Sequence, residues 1–234
     1  MRIDKLFSTL GLLSRSECKK EIKAGHIRVG DRVVLSPAEQ VDPENDDVFF
    51  RGEPVRYSEF VYYMLNKPAG YVTANSDPSF PTVFDLIDDT RKDLAAVGRL
   101  DKDTTGFLLI TNDGQLNHRL LSSKYHVPKT YLVTVSGTVT EEDLQVLRNG
   151  VDIGDDAPTL PAQAELIEGS VVSLTIYEGR YHQVKRMFDA IGKPVTALHR
   201  SSFGPLALDP DLKEGEMRPL TEDEMAELKG AGGS

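Results

Sequence analysis

Residues 96–114, AVGRLDKDTTGFLLITNDG, set two carboxylates, a lysine and two threonines between apolar segments. Two chemistries fit. Asp101, Asp103, Thr105 and Gly106 follow the start of a helix-loop-helix calcium loop, which needs oxygen ligands at positions 1, 3 and 5, glycine at 6 and a bidentate glutamate at 12. Position 12 is Asn112, however, and the FLLIT after Gly106 reads as a strand where that loop requires an exiting helix. The alternative is a single functional carboxylate, Asp101. Val97 and Leu100 bury the approach to it and Phe107–Ile110 form a strand just after, so the loop is held at both ends, as a catalytic group requires. By itself a lone aspartate equally suits a turn, and Asp103, Thr104 and Thr105 have the chemistry of turn caps.

Two further stretches bear on that choice. In EGRYHQVKRMFDAIGKPV, Val184, Met187, Phe188 and Ile191 recur at i, i+3, i+4, i+7 and predict a helix with one buried face, ended by Gly192 and Pro194. Arg180, His182, Lys185 and Arg186 crowd its N-terminus, where cations oppose the helix dipole. The arrangement makes sense if a phosphate or carboxylate is delivered to that end. The competing reading pairs Lys185 with Asp189 one turn on and leaves the others in water. In PKTYLVTV, Tyr131 sits in a strand among Leu132, Val133 and Val135, either as a core phenol or as an aromatic face for a base.

The elements that must position these groups fall into two parts. LLSRSECKKEIKAGHIRVGDRVV predicts a helix from Ser14, with Glu17 completing a capping box and Gly25 supplying a left-handed end, then a hairpin about Gly30-Asp31. Lys19, Lys20 and Lys23 crowd one side of that helix. A Pro- and acid-rich stretch follows, giving a module over 1–50, a linker over 51–59 and a second domain over 60–234. Beyond residue 60, FVYYMLNKP, AAVGRL, GFLLIT, KTYLVTVSG, AQAELIE and SVVSLTIYEG read as strands, with helices at 82–88, 114–122, 140–149 and 181–191. Hairpin-like turns such as Asn112-Asp113-Gly114 make the class α+β with a mainly antiparallel sheet. The closing KGAGGS is expected to fray.

Composition bounds the function. At 234 residues, 39% hydrophobic and 27% charged, the chain is an ordinary soluble globular protein. No apolar run nears the roughly 20 residues needed to span a bilayer, so no membrane partner is expected. Asp4 and Lys5 interrupt what would be a signal-peptide core. Cys18 is the only cysteine, which excludes an intrachain disulfide or a cysteine zinc cluster and fits the cytoplasm. The net charge of −10 opposes a nucleic-acid partner until its distribution is read. Residues 1–36 hold eight Lys/Arg against four acids, a net +4 that leaves −14 for residues 37–234. A basic end on an acidic body predicts a local anion-binding module.

The first 45 or so residues, with RIDKLF and then LLSRSECKKEIKAGHIRVGDRVV, resemble the S4 RNA-binding domain. The later motifs LNKPAGYVT, GRLDKDTTGFLLITNDG, KTYLV, EGRYHQVKRMF and ALHRSSFGPLAL, in that order, resemble the RsuA-type pseudouridine synthases, which modify ribosomal RNA. The resemblance implies isomerisation of uridine to pseudouridine in 16S rRNA, with uridine 516 (standard bacterial numbering) as the family's site. A relative acting on 23S rRNA and a non-catalytic RNA-binding assembly factor are the alternatives. It implies that Asp101 is the catalytic aspartate, that Tyr131 stacks on the target base and that Lys185 pairs with the aspartate where many relatives carry arginine. Leu198 becomes an apolar wall, and Arg99 a side chain inserted into the RNA, with Arg180, His182 and Arg186 on the substrate. Arg2, Arg15, Lys19, Lys20, Lys23 and Arg28 become the RNA contacts of the S4-like module. The reaction has no redox, phosphoryl-transfer or hydrolytic step, so no cofactor or metal is expected. The partner is 16S rRNA or a small-subunit assembly intermediate, and a monomer is the simplest state.

Overall fold

The computed structural model describes residues 1–231. It comprises two compact units, one of residues 1–61 with 88–94, the other of residues 62–87 with the chain from 95 onward.

In the first unit, α1 (Ile3–Thr9) and α2 (Arg15–Lys23) lie with strands β1 (Ile27–Val29), β2 (Arg32–Val33), β3 (Val48–Phe50) and β4 (Glu53–Pro54), ordered β2-β1-β3-β4. Ser14 caps α2 through the expected reciprocal box with Glu17. Val29 faces Arg32 across the two-residue turn Gly30-Asp31. Ile3, Leu6, Phe7, Cys18, Ile22, Ile27, Val34 and Val48 form one core. Burial pushes the Cys18 thiol up to about 11, so it packs as an apolar group and is no nucleophile.

This unit departs from the expected boundaries in two ways. β4 lies inside the stretch read as a linker, because Arg51 and Gly52 make a tight turn with positive φ that folds the chain back onto β3. Residues 88–94 also return to the unit. The Thr90 hydroxyl donates to the Leu10 carbonyl at 2.6 Å. Gly11 adopts φ +66° there, with the Thr90 carbonyl oxygen 1.9 Å from where a Cβ would stand.

The second unit is built on one sheet. Its strands are β5 (Tyr62–Lys67), β6 (Ala95–Ala96), β7 (Thr105–Thr111), β8 (Lys129–Val135), β9 (Gln163–Glu168), β10 (Val171–Ile176), β11 (Val195–Phe203), β12 (Leu206–Ala207) and β13 (Met217–Pro219). The order is β13-β5-β7-β11-β8-β10-β9, with β6 beside β7 and β12 beside β11. Every ladder is antiparallel except β7–β11, where His199 faces Thr105 and Arg200 faces Gly106. Four helices accompany it: α3 (Gly114–Leu121), α4 (Glu141–Asn149), α5 (Gln183–Ala190) and α6 (Glu222–Ala231). Tyr62, Met64, Phe107, Leu109, Leu116, Leu120, Phe203 and Leu228 make one continuous core.

Several local expectations change. Residues 82–88 supply only a 3-10 turn over Val83–Leu86. Asp113 caps α3 by accepting from the Leu116 amide instead of turning a hairpin. AAVGRL is strand only at Ala95–Ala96. Lys229–Ala231, expected to fray, close α6, where Leu228 is fully buried. The final Gly-Gly-Ser lies outside the described residues.

Candidate active site

Asp101 stands between β6 and β7 on a loop fixed from below by donors that find its carbonyls. The Thr73 hydroxyl donates to the Leu100 carbonyl at 2.9 Å and accepts from the Leu100 amide at 3.2 Å. The Gly70 amide donates to the Lys102 carbonyl, and the Thr104 amide closes a turn on the Asp101 carbonyl. Lys67, with no exposed surface, donates from Nζ to the carbonyls of Pro68, Lys102 and Thr104 at 3.0, 3.3 and 2.8 Å. Burial pulls Lys67 down to about 8 even though the charges of Asp103 and Asp101 raise it. Sequence reasoning passed over this residue. Its only signal was a lysine closing an apolar strand before Pro68. Because Thr105 and Gly106 already lie in β7, where an exiting helix would be required, the calcium-loop pattern has no structural counterpart.

The carboxylate meets the start of α5. Lys185 Nζ lies 3.0 Å from Asp101 Oδ2 and 2.6 Å from Asp103 Oδ1, and His182 Nε2 lies 3.4 Å from Asp101 Oδ1. Lys185 therefore points across to this loop and not to Asp189. Burial opposes its charge, but hydrogen bonds to Asp103 and Asp101 outweigh that and raise its pKa; the same bond to Lys185 lowers Asp103. Asp103 is thus an ion-pair partner, not the turn cap expected of it. α5 begins abruptly because His182 takes a left-handed φ of +48°, and Val184, Met187 and Phe188 seat the helix in the core.

A cavity of about 870 Å³ opens beside Asp101. Tyr131 and Leu198, both buried, form part of its wall from β8 and β11, and Arg99, Tyr181 and His182 stand exposed on its lining. Lys129, Arg200 and Phe203 complete the sheet side. Asp101, Tyr131, Lys185, Leu198, Arg99 and His182 are therefore brought to one place. Arg180 also lines the cavity, but its guanidinium donates to Glu178, Asp155 and the carbonyls of Ala157 and Pro158. Arg186 turns to Asp155 and the Ile153 and Tyr181 carbonyls. These two arginines clip the 153–158 segment to α5.

On the first unit, Arg15, Lys19, Lys20 and Lys23 are exposed on α2, and Arg28 lies 5.6 Å from the Phe49 ring. Arg2 instead holds the buried Asp4 through two bonds of 3.0 and 2.7 Å. Among the described residues no helix is long and apolar enough to cross a membrane.

Residues 61–190 match the RNA pseudouridylate synthase family, and residues 1–48 match the S4 domain. An uncharacterised RNA pseudouridine synthase of Bacillus subtilis (strain 168) is 47% identical over 231 residues, covering 96% of this chain and 97% of that protein. The ribosomal small subunit pseudouridine synthase A of Escherichia coli (strain K12) is 43% identical over 231 residues, 97% of this chain and all of its own. A crystal structure of a pseudouridylate synthase, 42% identical, superposes with a TM-score of 0.70 over 97% of this chain and 99% of that one. By matched length, identity and shared fold, the chain belongs to the RNA pseudouridylate synthase family and carries an S4 domain ahead of its synthase domain.

Proposed function

We propose that this enzyme isomerises one uridine of small-subunit ribosomal RNA to pseudouridine, at the position numbered 516 in 16S rRNA. The observation that carries the assignment of roles is the cation-held Asp101 carboxylate on the lining of a cavity whose walls include Tyr131 and Leu198. The two relatives above support the family reaction, and the name of the Escherichia coli protein supports the small-subunit target.

The chemistry divides among these residues. The target base leaves its stack, at a cost of a few kcal/mol, and is held against the Tyr131 ring with Leu198 as the apolar wall. Asp101 acts on ribose C1′ as the N1–C1′ bond breaks, either as a nucleophile or by stabilising positive charge. Lys185 holds that carboxylate in place through its 3.0 Å ion pair. The walls exclude water, which would otherwise capture C1′ and release the base. The ring turns and rejoins through C5, so no atom is gained or lost. Residues 1–50 supply phosphate contacts through Lys19, Lys20 and Lys23, which makes affinity fall with salt.

The test is Asp101→Asn, with pseudouridine mapped across the rRNA of cells carrying the wild type, the variant or neither. Loss of one small-subunit site with the variant is expected. Conversion by Asp101→Asn at near the wild-type rate removes the assignment, a mark lost from 23S rRNA instead corrects the target, and no lost mark makes the chain a non-catalytic RNA-binding factor.

A further inference from the structure

A buried arginine and a half-buried lysine line the cavity, and among the described residues neither has a carboxylate within ion-pair distance. Lys129 and Tyr131 are two residues apart on β8 and share its face. Directly opposite on β11 stand Phe203 and Arg200, brought into line by a bulge between Arg200 and Ser202. Lys129 Nζ is 5.5 Å and Arg200 Cζ 5.3 Å from the centre of the same Phe203 ring, so the two charges share one corner of the cavity. Arg200 is 2% exposed. Its Nε donates to the Phe107 carbonyl at 2.7 Å, while Nη2 is buried without a partner. Lys129 spends one hydrogen on the Val127 carbonyl at 2.7 Å. Among the described residues neither cation joins an ion pair of 4.0 Å or less. Burial and then the Arg200 charge bring Lys129 down to about 8, as like charges confined together require.

Buried charge without a counter-charge is costly, and neutral carbonyls repay only part of it. The arrangement is favourable when a negative charge arrives at that corner. Backbone phosphates are poor candidates, because Arg200 is almost wholly enclosed and the neighbouring walls are Tyr131, Leu198 and Phe203. A flat base against Tyr131 reaches it. As the N1–C1′ bond breaks, its electron pair stays on N1 and spreads to the ring oxygens. The uracil becomes an anion while C1′ becomes electron-poor beside Asp101. When C5 gives an electron pair to C1′, the C5 hydrogen leaves as a proton and N1 gains one, so the isomerisation balances.

We propose that Lys129 and Arg200 form an electrostatic pair that stabilises the departing uracil anion, opposite in sign to the role of Asp101 at C1′. The inference rests on the pseudouridine synthase reading above. It makes the site bipolar: a carboxylate for the sugar and two cations for the base.

Lys129→Met keeps the aliphatic stem and loses one hydrogen bond; Arg200→Lys keeps charge but not the Nη2 donor. Each is compared with the wild type in single-turnover conversion of the rRNA substrate and in RNA binding. Lys129→Met is expected to slow conversion 10- to 100-fold and to change RNA affinity less than threefold. The decisive readout is leaving-group dependence. With 5-fluorouridine at the target position, the ring holds negative charge better, so the wild-type to Lys129→Met ratio for N1–C1′ cleavage should shrink at least fivefold. A ratio that does not shrink overturns the proposal, as does a variant of full rate. Loss of RNA affinity with unchanged single-turnover rate reassigns the pair to phosphate binding and also overturns it. A wild type that converts no uridine fails the underlying reading instead, which separates the two failures. If Arg200→Lys does not fold, Lys129→Met decides alone.

Discussion

Lys185 touches two carboxylates, and the shorter contact is expected to matter less. Its Nζ is 2.6 Å from Asp103 and 3.0 Å from Asp101, but the Asp103 side chain is 68% exposed and that of Asp101 only 28%. An ion pair open to water contributes about 0–1 kcal/mol, whereas a hydrogen bond to a charged group shielded from water contributes about 1.5–3 kcal/mol. In Lys185→Met, Asp101 keeps the His182 imidazole at 3.4 Å and the more distant charge of Lys67. A loss of about 2–3 kcal/mol in the reacting state corresponds to a fall in conversion rate of roughly 30- to 150-fold. Asp103→Asn removes the exposed partner and should lower the rate by less than about fivefold.

The assay is single-turnover conversion with RNA saturating, so that binding does not mask the chemical step. Lys185→Arg belongs in the set: it keeps the charge with a different donor geometry and should retain more activity than Lys185→Met. Equal losses in Asp103→Asn and Lys185→Met would mean that Lys185 acts through Asp103, and a fully active Lys185→Met would mean that Asp101 needs no cation. Either result refutes the pairing on which the reaction scheme stands.

Two further outcomes test the scaffold. Gly106 has φ +100° and lies against β11 so closely that a Cβ would stand 2.3 Å from the Arg200 carbonyl oxygen; Gly106→Ala should lose about 3–5 kcal/mol in urea unfolding, while Gly114→Ala, whose Cβ meets nothing within 4 Å, should lose none. Arg218 bonds Glu224 twice at 2.8 Å and holds its carboxyl at about 2, so this stabilisation is present above the ordinary value of 4.5 and is lost as pH falls from there towards 2; Glu224→Gln should remove on the order of 1–2 kcal/mol at pH 7, after allowing for solvent screening, and much less near pH 2.

Local physics made much of this legible. The Ser14–Glu17 box, the Gly30-Asp31 turn and the apolar face of α5 depend on residues a few positions apart, and each forms as its spacing requires. What depended on distant partners was not legible. β11, the strand between β7 and β8, runs through VTALHRSSF, a stretch with too many polar side chains to be among the strands expected from the sequence. They are tolerated because His199 bonds Thr105 across the parallel ladder and Arg200 turns to the Phe107 carbonyl. On spacing alone the choice between Asp189 and Asp101 as the partner of Lys185 was likewise open, although the family resemblance implied Asp101; the fold brings these positions, 84 residues apart, to 3.0 Å. Lys67 was missed for the same reason, since two of its three carbonyl acceptors, Lys102 and Thr104, lie on the Asp101 loop more than 30 residues away.

The charge balance yields to the same distinction between total and placement. A net −10 acts on a bound anion only through charges within about one screening length, roughly 8 Å at physiological salt. Many carboxylates of the second unit are already answered: Asp155 by Arg180 and Arg186, Glu178 by Arg180, Asp209 and Glu224 by Arg218, Asp143 by Lys193. Such clusters carry little net charge (five carboxylates against four cations), so they fasten the scaffold with little repulsion of RNA at the cavity. At the site itself the cations are spent differently. Lys185 pairs with Asp101, whereas among the described residues Lys129 and Arg200 join no ion pair of 4.0 Å or less. The sheet side of the cavity therefore carries two cations although the protein is acidic. Substitutions that alter total charge at a distance should leave turnover nearly unchanged, while moving one charge at Lys129, Lys185 or Asp101 should not.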